Sequence, residues 1–352
     1  MTDSPFKAYD IRGRVDDNLD EDLAYALGRA VAQKMTPNRV ATGRDIRESS
    51  ARLQAALNAG LCDGGADVTD IGLCGTEEVY FATDHLGAGA GIMVTASHNP
   101  IDYNGMKLVG AGARPLPDAL FRELEKKALA GEFGSSTAQK GKLETKVLRD
   151  AYVEKILSFV DPATLPELSL VANPGNGCAG PAFDAIFDAL AAQGARLQVT
   201  RVHHDPDGSF PNGIPNPLLP ENQPATAQVV RQAGADLGLA WDGDFDRCFF
   251  FDAAGDFIPG EYMVGVIAEA ALAAEPGAKI VHDPRVLWNT RDVVARAGGA
   301  AVVVRTGHAL VKAAMREADA AYGGEMSAHH YFRDFMFCDS GMIPWLMVLA
   351  AM

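Results

Sequence analysis

Apolar and polar positions along the chain fall into a repeating order: a short unbroken apolar run, a turn containing glycine, then a stretch with apolar residues every three or four positions. Unbroken short runs suit strands buried on both faces, and the wider spacing suits helices with one face on a core. The first such unit predicts strands at 39–42, 66–71 and 91–94 with helices over 50–59 and 76–85. A second predicts strands at 168–172, 196–202 and 236–241 with helices over 180–194 and 225–234. A third predicts helices over 261–274, 288–297 and 309–318 around strands at 279–281 and 301–305. Alternating strands and helices imply an α/β fold of three successive similar domains, with mixed or mainly parallel sheets covered by helices. Boundaries are expected near residue 150, after the polar stretch 131–145, and near 257, after the turn Asp252-Ala253-Ala254-Gly255. Each unit is then about 100 residues, an ordinary domain size.

Composition narrows the picture. The 352 residues are 48% apolar and 22% charged, as in an ordinary globular protein. No uncharged apolar run reaches about 18 residues, and no basic-then-apolar segment opens the chain, so a cytoplasmic protein without membrane attachment is expected. Five cysteines, with no C-x-x-C pair, read as reduced and structural. A net charge of −15 argues against nucleic acid as a partner, while 31 Lys and Arg still allow a basic cleft for a small anion. The closing stretch 340–352 reads as an apolar helix without a stop signal, which suggests truncation.

Two places carry candidate chemistry. In Asp242-Gly243-Asp244-Phe245-Asp246-Arg247, aspartates alternate just after the strand expected at 236–241. On an extended backbone their carboxylates would share one side, and three like charges repel unless a cation sits among them. Hard oxygen ligands favour magnesium, manganese or calcium over zinc. A solvated acidic turn is the plain alternative. A calcium loop of the EF-hand type fails, because its sixth and twelfth positions here are Arg247 and Ala253. The second place is Thr95-Ala96-Ser97-His98-Asn99-Pro100, delivered by the strand at 91–94, with Lys107 beyond it. Ser97 alone reads as a turn or cap residue. With His98 and Lys107 nearby it gains the base and the cation that a hydroxyl needs to accept a phosphoryl group.

Four segments together resemble the α-D-phosphohexomutase superfamily, and within it bacterial phosphomannomutase and phosphomannomutase/phosphoglucomutase. They are Phe6 to Gly13, Thr95 to Pro100, Asp242 to Arg247, and Gly324-Glu325-Met326-Ser327-Ala328-His329-His330-Tyr331-Phe332. The resemblance implies an enzyme interconverting hexose 1-phosphate and hexose 6-phosphate, of mannose or glucose, through a phosphoserine and a bisphosphorylated sugar, in a cleft between the domains. It makes residues 1–150 a phosphoserine domain, 151–256 a metal-binding domain and 257–352 a sugar-binding domain. Ser97 would carry the phosphoryl group. Asp242, Asp244 and Asp246 would hold Mg2+ together with an oxygen on Ser97. Glu325 and Ser327 would grip sugar hydroxyls, with Tyr9, Arg285, Gly307 and His329 also facing substrate. Arg12, His98 and Arg247 would stand near the phosphoserine, and Lys107 and His308 would assist proton transfer. Glucose 1,6-bisphosphate or mannose 1,6-bisphosphate would serve as activator, and small phosphosugars would be the partners of a monomer.

Some positions depart from the family pattern. Many relatives have glycine where this chain has Phe245 and Ala328, as the phosphomannomutase subgroup also does not, which tilts the expected substrate towards mannose 6-phosphate. No segment matches the fourth, phosphate-binding domain, so weaker binding and reduced turnover are expected of this form. Two other readings compete. A strand ending in Asp-x-Asp also opens haloacid-dehalogenase-type phosphatases, with Asp242 as nucleophile, although Asp246 stands where those enzymes carry threonine or valine. A non-catalytic sugar-phosphate-binding fragment is the second.

Overall fold

The computed structural model describes residues 4–133 and 139–352. Its chain forms two compact units, Met1–Leu148 with Asp207–Ser209, and Arg149–Pro206 with Phe210–Met352.

The first unit runs β1 (Ile11–Arg14), α1 (Glu21–Met35), β2 (Arg39–Arg44), α2 (Ser50–Asp63), β3 (Asp67–Leu73), α3 (Thr76–His85), β4 (Ala90–Val94), β5 (Tyr103–Gly110), β6 (Arg114–Pro115), α4 (Asp118–Ala130) and β7 (Leu143–Thr145). Its sheet has the order β1-β5-β4-β2-β3-β7, with β6 beside β5. Strands β2, β3, β4 and β7 are parallel, whereas β5 runs antiparallel to both of its neighbours, β4 and β1. Local chemistry sets the helix starts. Asp20 accepts from the Leu23 N–H ahead of α1, and the Glu78 carboxylate accepts from the Gly75 N–H ahead of α3, each satisfying a donor that the first turn leaves open. Val40, Val68, Ile92 and Val94 pack with Leu27, Leu53, Leu57 and Leu61 of α1 and α2 in the core.

The second unit holds two sheets. One is built from β8 (Leu168–Asn173), β9 (Leu197–Arg201), β10 (Leu237–Trp241), β11 (Cys248–Phe251) and β12 (Phe257–Ile258), with helices α5 (Arg149–Leu157), α6 (Ala179–Ala192) and α7 (Pro224–Ala233). The other is built from β13 (Lys279–His282), β14 (Ala300–Val303), β15 (Tyr322–Gly324), β16 (His330–Phe332) and β17 (Cys338–Asp339), with α8 (Gly260–Ala274), α9 (Leu287–Arg296), α10 (His308–Ala318) and α11 (Ile343–Ala351). Their strand orders are β12-β11-β10-β8-β9 and β14-β13-β15-β16-β17. Trp241 at the end of β10 donates from Nε1 to the Gly341 carbonyl at 2.9 Å, tying one sheet to the chain that leaves the other.

All three sheets share one plan. The sets β2-β3-β4-β5, β8-β9-β10-β11 and β13-β14-β15-β16 each place the first strand centrally, the second and third parallel on either side, and the fourth antiparallel beyond the third. The connection leaving the third strand is therefore equivalent in each: 95–102, 242–247 and 325–329. Each holds a non-glycine residue in the left-handed region, Ser97 at φ 52°, Phe245 at φ 43° and Ala328 at φ 66°. Such conformations carry strain and collect at functional sites.

The elements expected from periodicity are present with ends shifted by a few residues. The antiparallel strands β1, β5, β11 and β16 were not anticipated. Neither was β7, inside the polar stretch 131–145, of which 134–138 lie outside the described residues. Helix α11 occupies the apolar stretch expected at 340–352.

Candidate active-site loops

In the first unit, β4 ends at Val94 and the chain turns through Ser97, whose N–H donates to Thr95 Oγ1 at 2.9 Å. Its hydroxyl lies 3.1 Å from Nδ1 of the exposed His98. The turn is gripped from beneath by Arg47, buried just ahead of α2. Its Nη1 donates to Pro100 O (2.8 Å) and Tyr103 O (3.1 Å), and its Nη2 to Ser97 O (3.0 Å) and Asn99 O (2.6 Å). Asp45, equally buried, pairs with the Arg47 Nε at 3.6 Å. From β1, Arg12 donates to Ala96 O at 2.9 Å and Asn99 Oδ1 at 2.7 Å while pairing with Asp10. Arg12 and Asn99 also line a cavity of about 460 Å³ with Lys7 and Arg14. On β5, Lys107 is buried and donates to Thr76 Oγ1 at 3.4 Å, at the start of α3. Tyr9 is exposed on the N-terminal bend.

In the second unit, Asp242, Asp244 and Asp246 are all buried, and each offers an oxygen within 4.8 Å of the others. Convergence comes about differently from the sequence expectation. The segment is a tight turn, closed by the Phe245 N–H on Asp242 O at 3.2 Å, rather than extended backbone. Phe245 enters the left-handed region and buries its ring completely, so the loop folds back and brings together carboxylates that a straight strand would spread roughly 7 Å apart per pair. Arg247 lies beside them, donating to Asp242 Oδ2 from Nε (3.1 Å) and Nη2 (2.7 Å). Burial works against the Arg247 charge, but the carboxylates outweigh it and raise its pKa. One cation cannot neutralise three buried carboxylates. An all-oxygen set this close and this dry fits a hard divalent ion.

Arg247 also bridges by its backbone to His329, so the aspartate loop and the third loop touch. His329 Nε2 is 3.6 Å from Asp246 Oδ1, and its Nδ1 is 3.6 Å from Glu325 Oε2 and 3.0 Å from the Ser327 hydroxyl. Burial disfavours the His329 cation, yet Asp246, Glu325 and Asp339 hold its pKa above the usual value. Glu325 is buried, accepting from the Gly307 N–H at 2.9 Å and from the Tyr331 hydroxyl at 2.6 Å. Gly307, at φ 136°, has a conformation that side chains avoid and turns the chain into α10, whose first residue is the half-buried His308. Arg285 is held by Asp283, whose Oδ2 accepts its Nε at 3.0 Å and also takes the Met326 N–H at 3.3 Å. Asp242, Asp246, Arg247, Arg285, Gly307, Glu325, Ser327 and His329 thus form one linked network.

Family models for phosphoglucomutase/phosphomannomutase α/β/α domains I, II and III match residues 3–135, 150–255 and 259–352. The chain belongs to that family. It is a phosphohexomutase, an intramolecular phosphotransferase. It is 56% identical to a phosphomannomutase of Salmonella montevideo over 345 residues, 97% of this chain and 76% of the relative. With a protein of Xanthomonas campestris named phosphohexose mutases the identity is 55% over 348 residues, 99% and 77% of the two chains. A crystal structure of a phosphoglucomutase/phosphomannomutase family protein from Burkholderia thailandensis superposes with a TM-score of 0.89 at 35% identity, over 98% of this chain and 76% of that one. Family membership removes the haloacid-dehalogenase reading of Asp242. Among the described residues, no helix is long and apolar enough to cross a membrane.

Sequence reasoning missed several residues of this phosphohexomutase that hold the loops in place. Arg47, Asp283 and Tyr331 are buried polar groups: the carbonyls Arg47 grips lie about 50 residues on, Asp283 joins Arg285 to the Met326 N–H 43 residues away, and Tyr331 sits inside the segment 324–332 without its bond to Glu325 being visible from the sequence. Asp339 and Lys312 form a fully buried ion pair, and Asp339 places an oxygen within 4.8 Å of ligand atoms on Asp246 and His329. The Lys312 ammonium supplies the cation for that second cluster.

Proposed function

We propose that this phosphohexomutase interconverts the 1- and 6-phosphates of mannose, and of glucose less readily, with Ser97 as the phosphoryl carrier and magnesium held by Asp242, Asp244 and Asp246. The observation that carries the reading is the buried aspartate triplet. Its three carboxylate oxygens within 4.8 Å suit a divalent ion rather than a structural ion pair. Magnesium, when bound, would offset negative charge as the phosphoryl group moves.

The chain's own residues do the rest. The P–O bond to Ser97 breaks as one forms to the free sugar hydroxyl, giving a hexose bisphosphate. After the sugar turns over, the other phosphoryl group returns to the Ser97 oxygen and releases the isomer. The turn fixed by Arg47 and Arg12 points the hydroxyl and spares the reaction the cost of ordering it. Lys107 and His308 are assigned proton transfer. Glu325, Ser327 and His329 take the sugar hydroxyls, and Arg285, kept in place by Asp283, takes a phosphate in the bidentate manner open to arginine. Glucose 1,6-bisphosphate or mannose 1,6-bisphosphate primes Ser97. The mannose preference rests on relatives named phosphomannomutase at 56% identity.

The test is direct. Purified protein is incubated with magnesium, glucose 1,6-bisphosphate and either mannose 1-phosphate or glucose 1-phosphate, and 6-phosphate formation is followed. Formation from mannose 1-phosphate that disappears in Ser97→Ala supports the assignment. Undiminished turnover in Ser97→Ala removes Ser97 from the mechanism.

A further inference from the structure

Glu325 presents a carboxylate whose two oxygens are each engaged from a different direction. Oε1 accepts from the Gly307 N–H, just ahead of α10, and Oε2 accepts from the Tyr331 hydroxyl, on β16. Both groups are buried, Glu325 at 1% and Tyr331 at 0% exposure. The loop itself is narrow, with the Glu325 N–H on His329 O at 3.0 Å and the Ala328 N–H on Glu325 O at 3.1 Å, so its backbone sets where the side chain starts but not where it ends. A glutamate has three side-chain torsions and would otherwise sample several rotamers. A backbone N–H on one oxygen and a phenol on the other fix the plane of the carboxylate. Burial and the Glu325 carboxylate hold the Tyr331 phenol well above its ordinary pKa, so it stays protonated and can only donate here.

We infer that Tyr331 is a positioning residue for sugar recognition: its hydroxyl locks the Glu325 carboxylate in the orientation that receives the hexose hydroxyls. The inference rests on the proposed role of Glu325. Phenylalanine would fill the same volume, so the hydroxyl contributes direction rather than packing. A carboxylate still accepts further hydrogen bonds after these two, because each oxygen has two lone-pair sites, and the remaining sites point where the two partners leave room. Without the phenol the carboxylate is held only by the Gly307 N–H on one oxygen and by His329 at 3.6 Å from the other, and each sugar contact must then order it more fully at the moment of binding.

Tyr322 provides an internal control. It is also fully buried on the neighbouring strand β15, and its hydroxyl engages His330 Nδ1 at 2.6 Å rather than Glu325. Tyr322→Phe removes the same chemical group from the same sheet without touching the carboxylate.

The experiment compares Tyr331→Phe, Tyr322→Phe, Glu325→Ala and the Tyr331→Phe/Glu325→Ala pair in the full chain. KM and kcat for mannose 1-phosphate are measured with magnesium and glucose 1,6-bisphosphate, and Kd for the same sugar is measured by calorimetry. Urea titrations fix conditions in which every variant is folded. Having to order the Glu325 carboxylate at the moment of binding should raise KM and Kd about three- to tenfold for Tyr331→Phe, with kcat changed less than about threefold. Tyr322→Phe should leave both constants unchanged. The paired variant should bind no worse than Glu325→Ala alone, because Tyr331 acts only through Glu325. An unchanged KM and Kd in Tyr331→Phe, or additive losses in the pair, overturns the inference while leaving Glu325 in place. Unchanged binding in Glu325→Ala overturns the sugar-binding reading itself and the inference with it.

Discussion

Replacing Arg47 by methionine, which keeps most of the aliphatic stem but removes the guanidinium, should damage the Ser97 turn more than any exposed change nearby. Four carbonyl oxygens, of Ser97, Asn99, Pro100 and Tyr103, then lose a charged donor, with Pro100 O keeping the Tyr103 N–H, and Asp45 loses its guanidinium partner. The two side chains are 1% and 3% exposed, so water does not readily substitute. Bonds from a charged donor contribute about 1.5–3 kcal/mol each, but they share one guanidinium and their losses overlap. Removing one member of a buried pair costs about 3–5 kcal/mol, and we take that as the expected loss. Burial already raises the Asp45 pKa, against the pull of Arg47, so the variant should shed part of the cost by protonating Asp45, more readily at low pH.

The assay has two readouts. Urea denaturation of the wild type, Arg47→Met and Arg47→Met/Asp45→Asn gives stability, and intact-mass analysis after incubation with glucose 1,6-bisphosphate gives phosphoryl transfer to Ser97. The second substitution removes the stranded charge, so the double variant should regain about half of the lost stability. It should not regain phosphorylation, because the four carbonyls still lack the group that shapes the turn. A midpoint for Arg47→Met within about 0.5 kcal/mol of wild type would refute the clamp, as would full phosphorylation in the double variant.

Other consequences are as definite. Without metal, Asp244→Asn should be more stable than wild type, because it relieves repulsion among three buried carboxylates; at magnesium a hundred times Kd the wild type should gain about 2.7 kcal/mol and the variant little, read as the shift in urea midpoint. At the left-handed position 328, Ala328→Gly should stay within about 1 kcal/mol of wild type, whereas Ala328→Val should lose about 1–3 kcal/mol in the same titration. His330, fully buried, has its pKa pushed by burial from 6.5 to about 3, so it folds neutral. The stability this neutral form contributes is complete above about pH 6.5 and falls as the pH drops towards 3, by about 2 kcal/mol at pH 5; the loss between pH 7.5 and 5 should shrink by that amount in His330→Asn.

What could be read from the sequence divides along the range of the forces involved. Strands at 39–42, 91–94 and 236–241 and the helix at 76–85 are set by local periodicity and end groups, and they stand where periodicity puts them. The aspartate triplet could be recognised because its members are two residues apart, yet its backbone could not: Phe245 adopts a positive φ only because its ring is buried within the unit, a tertiary reward that composition does not announce. The same holds for Arg47, whose four acceptors lie about 50 residues away. A lone arginine before a helix looks like solvated surface until the loop it grips is in view. Ser97, Phe245 and Ala328 sharing one conformation at one topological position makes this more than three separate accidents. In each of these connections the reversal from the last parallel strand into its antiparallel neighbour includes a left-handed step. The repeated sheet plan therefore gives the strained residue one recurring position, and that residue (Ser97) or its neighbours (Asp244 and Asp246, Ser327 and His329) are the candidate site residues beyond the strand's end, where α/β folds bind their ligands.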